Sequence, residues 1–196
     1  MKGKTKIIYT ALITRKKPPL FTRIRWGKQL GITDYSNTFS NLHNKNTTPK
    51  EKEIAYRLIY NMTPLVQRKT QDRRKQKQCK LCNRDTQEKE EHIFLRCPTF
   101  TPTRQTLKFL LDRTTNADID IDLAITLIKI PRHPNRHTHD LNILTLAVYK
   151  QHIWSIYLKT RNDQYIPPKP DLIEEIYRHK LDLRINKKPH SNLHVL

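Results

Sequence analysis

The stretch from Cys79 to Cys97, CKLCNRDTQEKEEHIFLRC, decides the reading of this chain, because it holds every cysteine of the sequence and a histidine at metal-ligand spacing. Cys79, Cys82, His92 and Cys97 form the pattern C-x2-C-x9-H-x4-C. Two cysteines separated by two residues make a tight turn whose sulfurs face one point, and the later His and Cys close a tetrahedron around zinc. Three thiolates and one neutral imidazole leave no open position for water, so a single zinc ion here is structural and not hydrolytic. The bland alternative is three buried free thiols beside an unrelated surface histidine, and the spacing favours zinc.

On the C-terminal side of the first cysteine pair, Asp85 or Thr86 is placed to cap a short helix opening with Glu88, Glu90 and Glu91 near its positive end, with His92 upon it. Pro98 disfavours helical geometry at Cys97, so the chain leaves the helix there and brings the last sulfur back. On the N-terminal side, residues 68–80 carry Arg68, Lys69, Arg73, Arg74, Lys75, Lys77 and Lys80 against one acid, Asp72. This densest positive patch runs directly into the metal turn, which would fix it in place and lower the entropy lost on gripping phosphates. The same run also suits a nuclear localisation signal or a solvated charged face.

The ligand run, together with YRLIYNMTPLVQRKT before it, resembles the zinc-binding region that follows the polymerase domain in LINE-type (non-LTR) retrotransposon reverse transcriptases. The residues that carry the resemblance are Tyr56, Leu58, Ile59, Thr63, Pro64, Cys79, Cys82, Glu91, His92, Phe94 and Cys97. The later segment LAVYKQHIWSIYLKTRND is similar to the long helix that follows the knuckle in that family. The likeness spans roughly residues 26–183, and its specific part is the ligand stretch. It implies a helical domain whose task is to hold element RNA or target DNA during target-primed reverse transcription, and the basic run read as a localisation signal makes the expected location nuclear.

Composition agrees with a polyanionic partner. Across 196 residues, Lys and Arg number 38 against 18 acids, a formal charge of +20, which predicts nucleic-acid binding or strong self-repulsion without it. At 36% hydrophobic residues and three glycines, the chain is long and apolar enough for a real core. Cysteines accounted for by zinc leave no disulfide framework and point to a reducing, intracellular compartment. No stretch approaches the ~18 consecutive apolar residues of a membrane helix, so no membrane partner is expected.

The fold expected is mostly α: an irregular helical bundle with one small CCHC knuckle and an extended basic N-terminal arm. Residues 1–47 form the arm, 48–183 the helical zinc-binding domain and 184–196 a frayed tail. In the arm, Ile7 to Ile13 reads as a short strand or an apolar clip, and Arg23, Arg25 and Trp26 interleave charge with aromatic surface as single-stranded nucleic acid requires. A floppy arm with Trp26 packed on the domain, or a transit peptide, are the alternatives; two adjacent prolines and few serines argue against the latter.

Thr48, Pro49, Glu51 and Glu53 open a helix over 48–61 with Ile54, Leu58 and Ile59 inward, and a short helical stretch follows Pro64 from Leu65. Residues 102–113 read as a helix with Leu107, Phe109, Leu110 and Leu111 partly inward. Residues 118–129 alternate Ile and Asp, compatible with strand or helix, and the resemblance tips the choice to helix. The loop PRHPNRHTHD carries His133, His137 and His139, read as solvated. The longest helix runs from Thr138 or Asp140 to Lys159, apolar almost all round and therefore buried, with Leu141, Leu144, Val148, His152 and Ser155 on one line and Trp154 more core than stacking platform. A last amphipathic helix begins near Asp171.

No paired aspartates of a polymerase occur, and Asp171, Glu174 and Glu175 lie at helical spacing, which suits a helix face better than the converging carboxylates of a two-metal nuclease. No enzymatic activity and no small-molecule substrate are expected. The sequence thus reads as a non-catalytic, zinc-binding, nucleic-acid-binding module. The alternatives are a zinc-stabilised protein-interaction module or a decayed retroelement fragment, and more remotely a nuclease, given RHPNRH and Lys169-Pro170-Asp171.

Overall fold

The computed structural model describes residues 35–60, 62–63, 65, 78–86 and 89–161. Among them the chain is helical, with no strand. α1 (Ser36–Leu42) and α2 (Pro49–Ile59) precede the knuckle. After it come a wide π-type turn (His92–Arg96), a tight 3-10 turn (Pro98–Phe100), α3 (Thr101–Thr115), α4 (Ile121–Leu127) and the long α5 (Arg136–Arg161).

The start of α2 follows from its sequence. The Thr48 hydroxyl accepts from the Glu51 amide at 3.3 Å, the Glu51 carboxylate accepts from the Thr48 amide at 2.9 Å, and Pro49 fills the first helical position. Ile54, Ala55, Leu58 and Ile59 turn inward and are buried. α3 spans the expected segment, with Leu107 and Leu111 fully buried. Phe109, expected partly inward, is 59% exposed, because the buried positions of α3 include Thr103, Leu107 and Leu111, one face at three-to-four spacing.

The Ile-Asp alternation resolves as helix. Asp120 accepts from the amides of Asp122 and Leu123 and caps α4, while Ile119 is buried just ahead of it. The period of two is therefore a cap and its flanks, not a pleat. α4 ends at Ile128, which holds a left-handed φ of 55° although it is β-branched. Its side chain is 4% exposed and its carbonyl accepts from Asn41 Nδ2 at 2.8 Å, so burial and a tertiary hydrogen bond hold a conformation that is intrinsically unfavourable for Ile.

α5 is the central helix, packed against α2, α3, α4 and the π-type turn. Its buried positions include Ile143, Leu144, Leu146, Val148, Tyr149, Ile153, Ile156 and Tyr157. Of the line expected inward, Leu144 and Val148 are buried, Leu141 and His152 are half-buried and Ser155 is exposed, since neighbours on several sides spread the packing around the helix. Trp154 packs half-buried on the core and stacks on Tyr157, with centroids 5.3 Å apart.

Within the stretch read as an arm, α1 is a packed helix: Tyr35, Phe39 and Leu42 join the same core as α5. Its apolar residues are too few to show a helical period by sequence alone. Arg23, Arg25 and Trp26, the strand or apolar clip at 7–13 and the expected last helix near Asp171 lie outside the described residues.

Candidate metal centre

Two backbone devices build the site. Residues 79–83 turn back on themselves, with the Asn83 amide donating to the Cys79 carbonyl at 2.8 Å and the Cys79 amide donating to the Arg84 carbonyl at 2.9 Å. Asn83 makes this closure with a φ of 55°, a region that Asn tolerates better than most residues. The second device is the π-type turn. Helical geometry at Glu90 and Glu91 widens at His92, whose carbonyl accepts from the Cys97 amide at 2.6 Å, five residues on. Cys97 then adopts an extended backbone, with ψ of 122°, just ahead of Pro98.

These turns bring together all four expected ligands. One donor atom from each of Cys79, Cys82, His92 and Cys97 lies within 4.8 Å of every other. Cys82 Sγ stands 3.5 Å from His92 Nε2. Cys79 and Cys97 are fully buried, while Cys82 and His92 are half-buried. Such a group can hold a metal ion, with two sulfurs shielded from solvent and two donors towards it.

The two buried thiols are unequal. Cys79 shares a hydrogen bond with Cys97 that raises the Cys79 pKa well above the ordinary thiol range, and burial raises it further. The same bond lowers that of Cys97. Two buried thiols thus favour one proton between them, and a cation among the sulfurs would take over that role. The amides of Cys82 and Leu81 donate to the Cys79 sulfur, and that of Thr99 to the Cys97 sulfur, each favouring thiolate.

Outer contacts fix the two halves against each other. The Thr99 hydroxyl donates to the Leu81 carbonyl at 2.8 Å, tying the first cysteine turn to the segment after the last. Arg104, on α3, donates to the Cys97 carbonyl at 3.1 Å. Tyr149, fully buried on α5, donates to the Phe94 carbonyl at 2.9 Å, and so anchors the widened turn to the central helix. Arg96 pairs with Asp122 on α4. Sequence reasoning misses Thr99, Arg104 and Tyr149 as supports of the site. Only Thr99 carries a hint, as a small hydroxyl residue two positions after a ligand.

The remaining expected site residues divide. Lys80 is exposed on the first cysteine turn, whereas Arg68, Lys69, Arg73, Arg74, Lys75 and Lys77 lie outside the described residues. The short helix expected after Asp85 or Thr86 takes helical geometry, among the described residues, only from Glu90. Of the loop histidines, His137 is exposed as expected. His139 is not a solvated loop residue: it lies half-buried on α5, its Nε2 3.2 Å from Asn41 Oδ1, and burial lowers its pKa. No family model matches the chain, and no curated protein or solved structure matches it.

Proposed function

We propose that Cys79, Cys82, His92 and Cys97 hold one structural zinc ion, and that the chain is a non-catalytic nucleic-acid-binding module. The observation that carries the metal assignment is the closeness of four soft and borderline donors in one half-buried pocket. Zinc bonds of ~2.3 Å to sulfur and ~2.0–2.1 Å to nitrogen at tetrahedral angles set sulfur and nitrogen about 3.6 Å apart. The 3.5 Å between Cys82 Sγ and His92 Nε2 matches that edge. Three sulfurs also select a thiophilic ion over magnesium or calcium.

The bound metal would supply cohesion to the knuckle, with Cys79 and Cys97 as its inner ligands and Cys82 and His92 closing the solvent side. Four protein ligands complete a tetrahedron, which suits a structural role. Thiolate ligands also suit the reducing interior of a cell, and the basic run at 68–80, read as a localisation signal, would direct the chain to the nucleus.

The nucleic-acid reading is supported by the charge of +20 and by the likeness of the knuckle to the post-polymerase region of LINE-type reverse transcriptases. On this reading the chain holds element RNA or target DNA, with Arg68, Lys69, Arg73, Arg74, Lys75, Lys77 and Lys80 as a basic strip leading into the metal turn, and Arg23, Arg25 and Trp26 as a second point of attachment. Among the described residues, the exposed large hydrophobics Met62, Phe109 and Leu158 sit on three separate segments, a pattern that favours a charged partner over an apolar docking groove.

The test is fluorescence anisotropy of the zinc-loaded chain with labelled single-stranded RNA and DNA across a salt series. Binding of micromolar strength near ~150 mM salt, with a slope equal to several released counterions, is the expected result. Binding that disappears by that salt concentration would reduce the charge to generic attraction and reject the reading.

A further inference from the structure

A basic cleft shares no lining residue with the candidate metal centre. The turn between α1 and α2 and the loop entering α5 face each other across a cleft of about 560 Å³. Its lining includes His43 and Lys45 from the first segment, and Arg132, His133, Arg136 and His139 from the second. The two segments are far apart in sequence, yet Asn44 Nδ2 reaches Asp140 Oδ1 at 2.7 Å across 96 positions. The cleft is thus a tertiary construction, and no local pattern joins the run at 131–140 to His43 and Lys45.

Its cations outnumber its acids among the described residues. Lys45, Arg132 and Arg136 are exposed, and none forms an ion pair among the described residues. The carboxylate in the lining, Asp140, has both oxygens occupied by side-chain amides, Asn44 at 2.7 Å and Asn46 at 3.1 Å. Neutral amides therefore hold the acid without cancelling its charge, and Lys45, Arg132 and Arg136 against Asp140 leave the lining with a net positive charge and no ion pair of its own among the described residues. Concentrating like charge at a concave surface costs free energy that a bound anion would return.

The backbone carrying these cations is fixed. Asn44 Oδ1 accepts from the Asn46 amide at 2.9 Å, and the Thr47 hydroxyl donates to the Asn44 carbonyl at 2.8 Å, so Lys45 stands on a closed turn. Asn135 Oδ1 accepts from the His137 amide at 2.8 Å, and the Asn135 amide donates to His133 Nδ1 at 3.0 Å, which sets the loop between Arg132 and Arg136. The first amides of α5 are partly taken by Asn135, so side chains supply the grip. Asn37 and Ser40 line the same cleft and offer neutral hydrogen-bonding groups beside the cations.

We propose that this cleft binds backbone phosphate of a single-stranded nucleic acid, with Lys45, Arg132 and Arg136 as the phosphate ligands. The proposal rests on the nucleic-acid reading above and adds a further point of attachment, remote in sequence from the basic strip at 68–80. Arginine suits the role because its planar fork matches two phosphate oxygens at once.

The experiment compares the full zinc-loaded chain with two double variants of equal charge change, Arg132→Gln with Arg136→Gln in the cleft and Arg113→Gln with Lys159→Gln outside it. Anisotropy with a single-stranded oligonucleotide is read over a salt series. In parallel, inorganic phosphate is titrated while the ring signals of His43 and His133 are followed by NMR. The cleft variant should bind the oligonucleotide at least tenfold more weakly, with a salt slope shallower by about 0.7 for each phosphate no longer neutralised, while the control pair stays within twofold to threefold of the parent. Equal weakening in both pairs would overturn the cleft and leave the nucleic-acid reading standing. If the parent chain binds no oligonucleotide, that reading fails. A saturable, variant-sensitive histidine response to phosphate would then still support an anion site, and a flat response would overturn it.

Discussion

Around Cys79 and Cys97 the buried groups include sulfurs with backbone amides aimed at them, whereas along α5 they are mostly hydrocarbon, with Asn142, Thr145, the Tyr149 hydroxyl and the Lys150 amine among them. The two regions share a single core, since Leu81, Ile93, Phe94 and Leu95 of the knuckle cluster with Leu146, Val148 and Tyr149 of α5. Their sources of order nevertheless differ. The knuckle is a short, turn-rich segment that gathers four donors able to hold a metal ion. The bundle depends on apolar burial and tolerates a polar misfit inside it. Lys150 is that misfit: it is 1% exposed, its amine has no hydrogen-bond partner among the described residues, and burial alone lowers its pKa to about 7.

The largest effect should come from removing a ligand. Structural zinc sites contribute about 10–16 kcal/mol, comparable to the whole stability of an ordinary domain at about 5–15 kcal/mol. Cys97→Ser should therefore release the knuckle. In hydrogen exchange, the amides of Cys79, Asn83 and Cys97 would lose their protection while those in the middle of α5 keep more of theirs. Uniform retention of protection across the knuckle would show that packing, not metal, holds it.

Replacing Lys150 should work in the opposite direction. Between pH 7 and 10.5 the unfolded chain holds a proton on this amine that the folded chain has released, so stability rises with pH through that window. Lys150→Met removes the cost, and at pH 7 should stabilise the protein by roughly 4 kcal/mol, a gain that shrinks as the pH rises from 7 and is gone by about pH 10.5. Chemical denaturation of both chains at several pH values reads this directly. A pH-independent difference would mean that the amine is not desolvated in the folded state.

The joint between the two regions should give a smaller effect. Tyr149→Phe leaves the Phe94 carbonyl without its buried donor and should cost about 1–3 kcal/mol, with enhanced exchange at the π-type turn and little change in α2. Smallest of all, Thr48→Ala removes the side-chain half of the α2 capping box, at about 1 kcal/mol, lowering the melting temperature with no change in metal content.

The same contrast explains what is legible in the sequence. The four donors, the cap at Thr48 and the burial of α5 depend on local spacing, and each follows from residue types a few positions apart. The π-type turn at His92, the left-handed Ile128 and the Tyr149 anchor depend on tertiary partners that no local pattern records. His139 escapes a local reading for the same reason, because its partner Asn41 lies 98 positions away. The cleft between Lys45 and Arg136 exists only where the two loops meet.

The most direct test of the zinc assignment is X-ray absorption at the zinc edge on the purified protein, with metal content measured on the same sample. The account predicts one zinc per chain, with a first shell of three sulfurs near ~2.3 Å and one nitrogen near ~2.0–2.1 Å, and loss of that shell in Cys97→Ser. A chain free of zinc when purified under reducing conditions, or a shell dominated by oxygen, would contradict it.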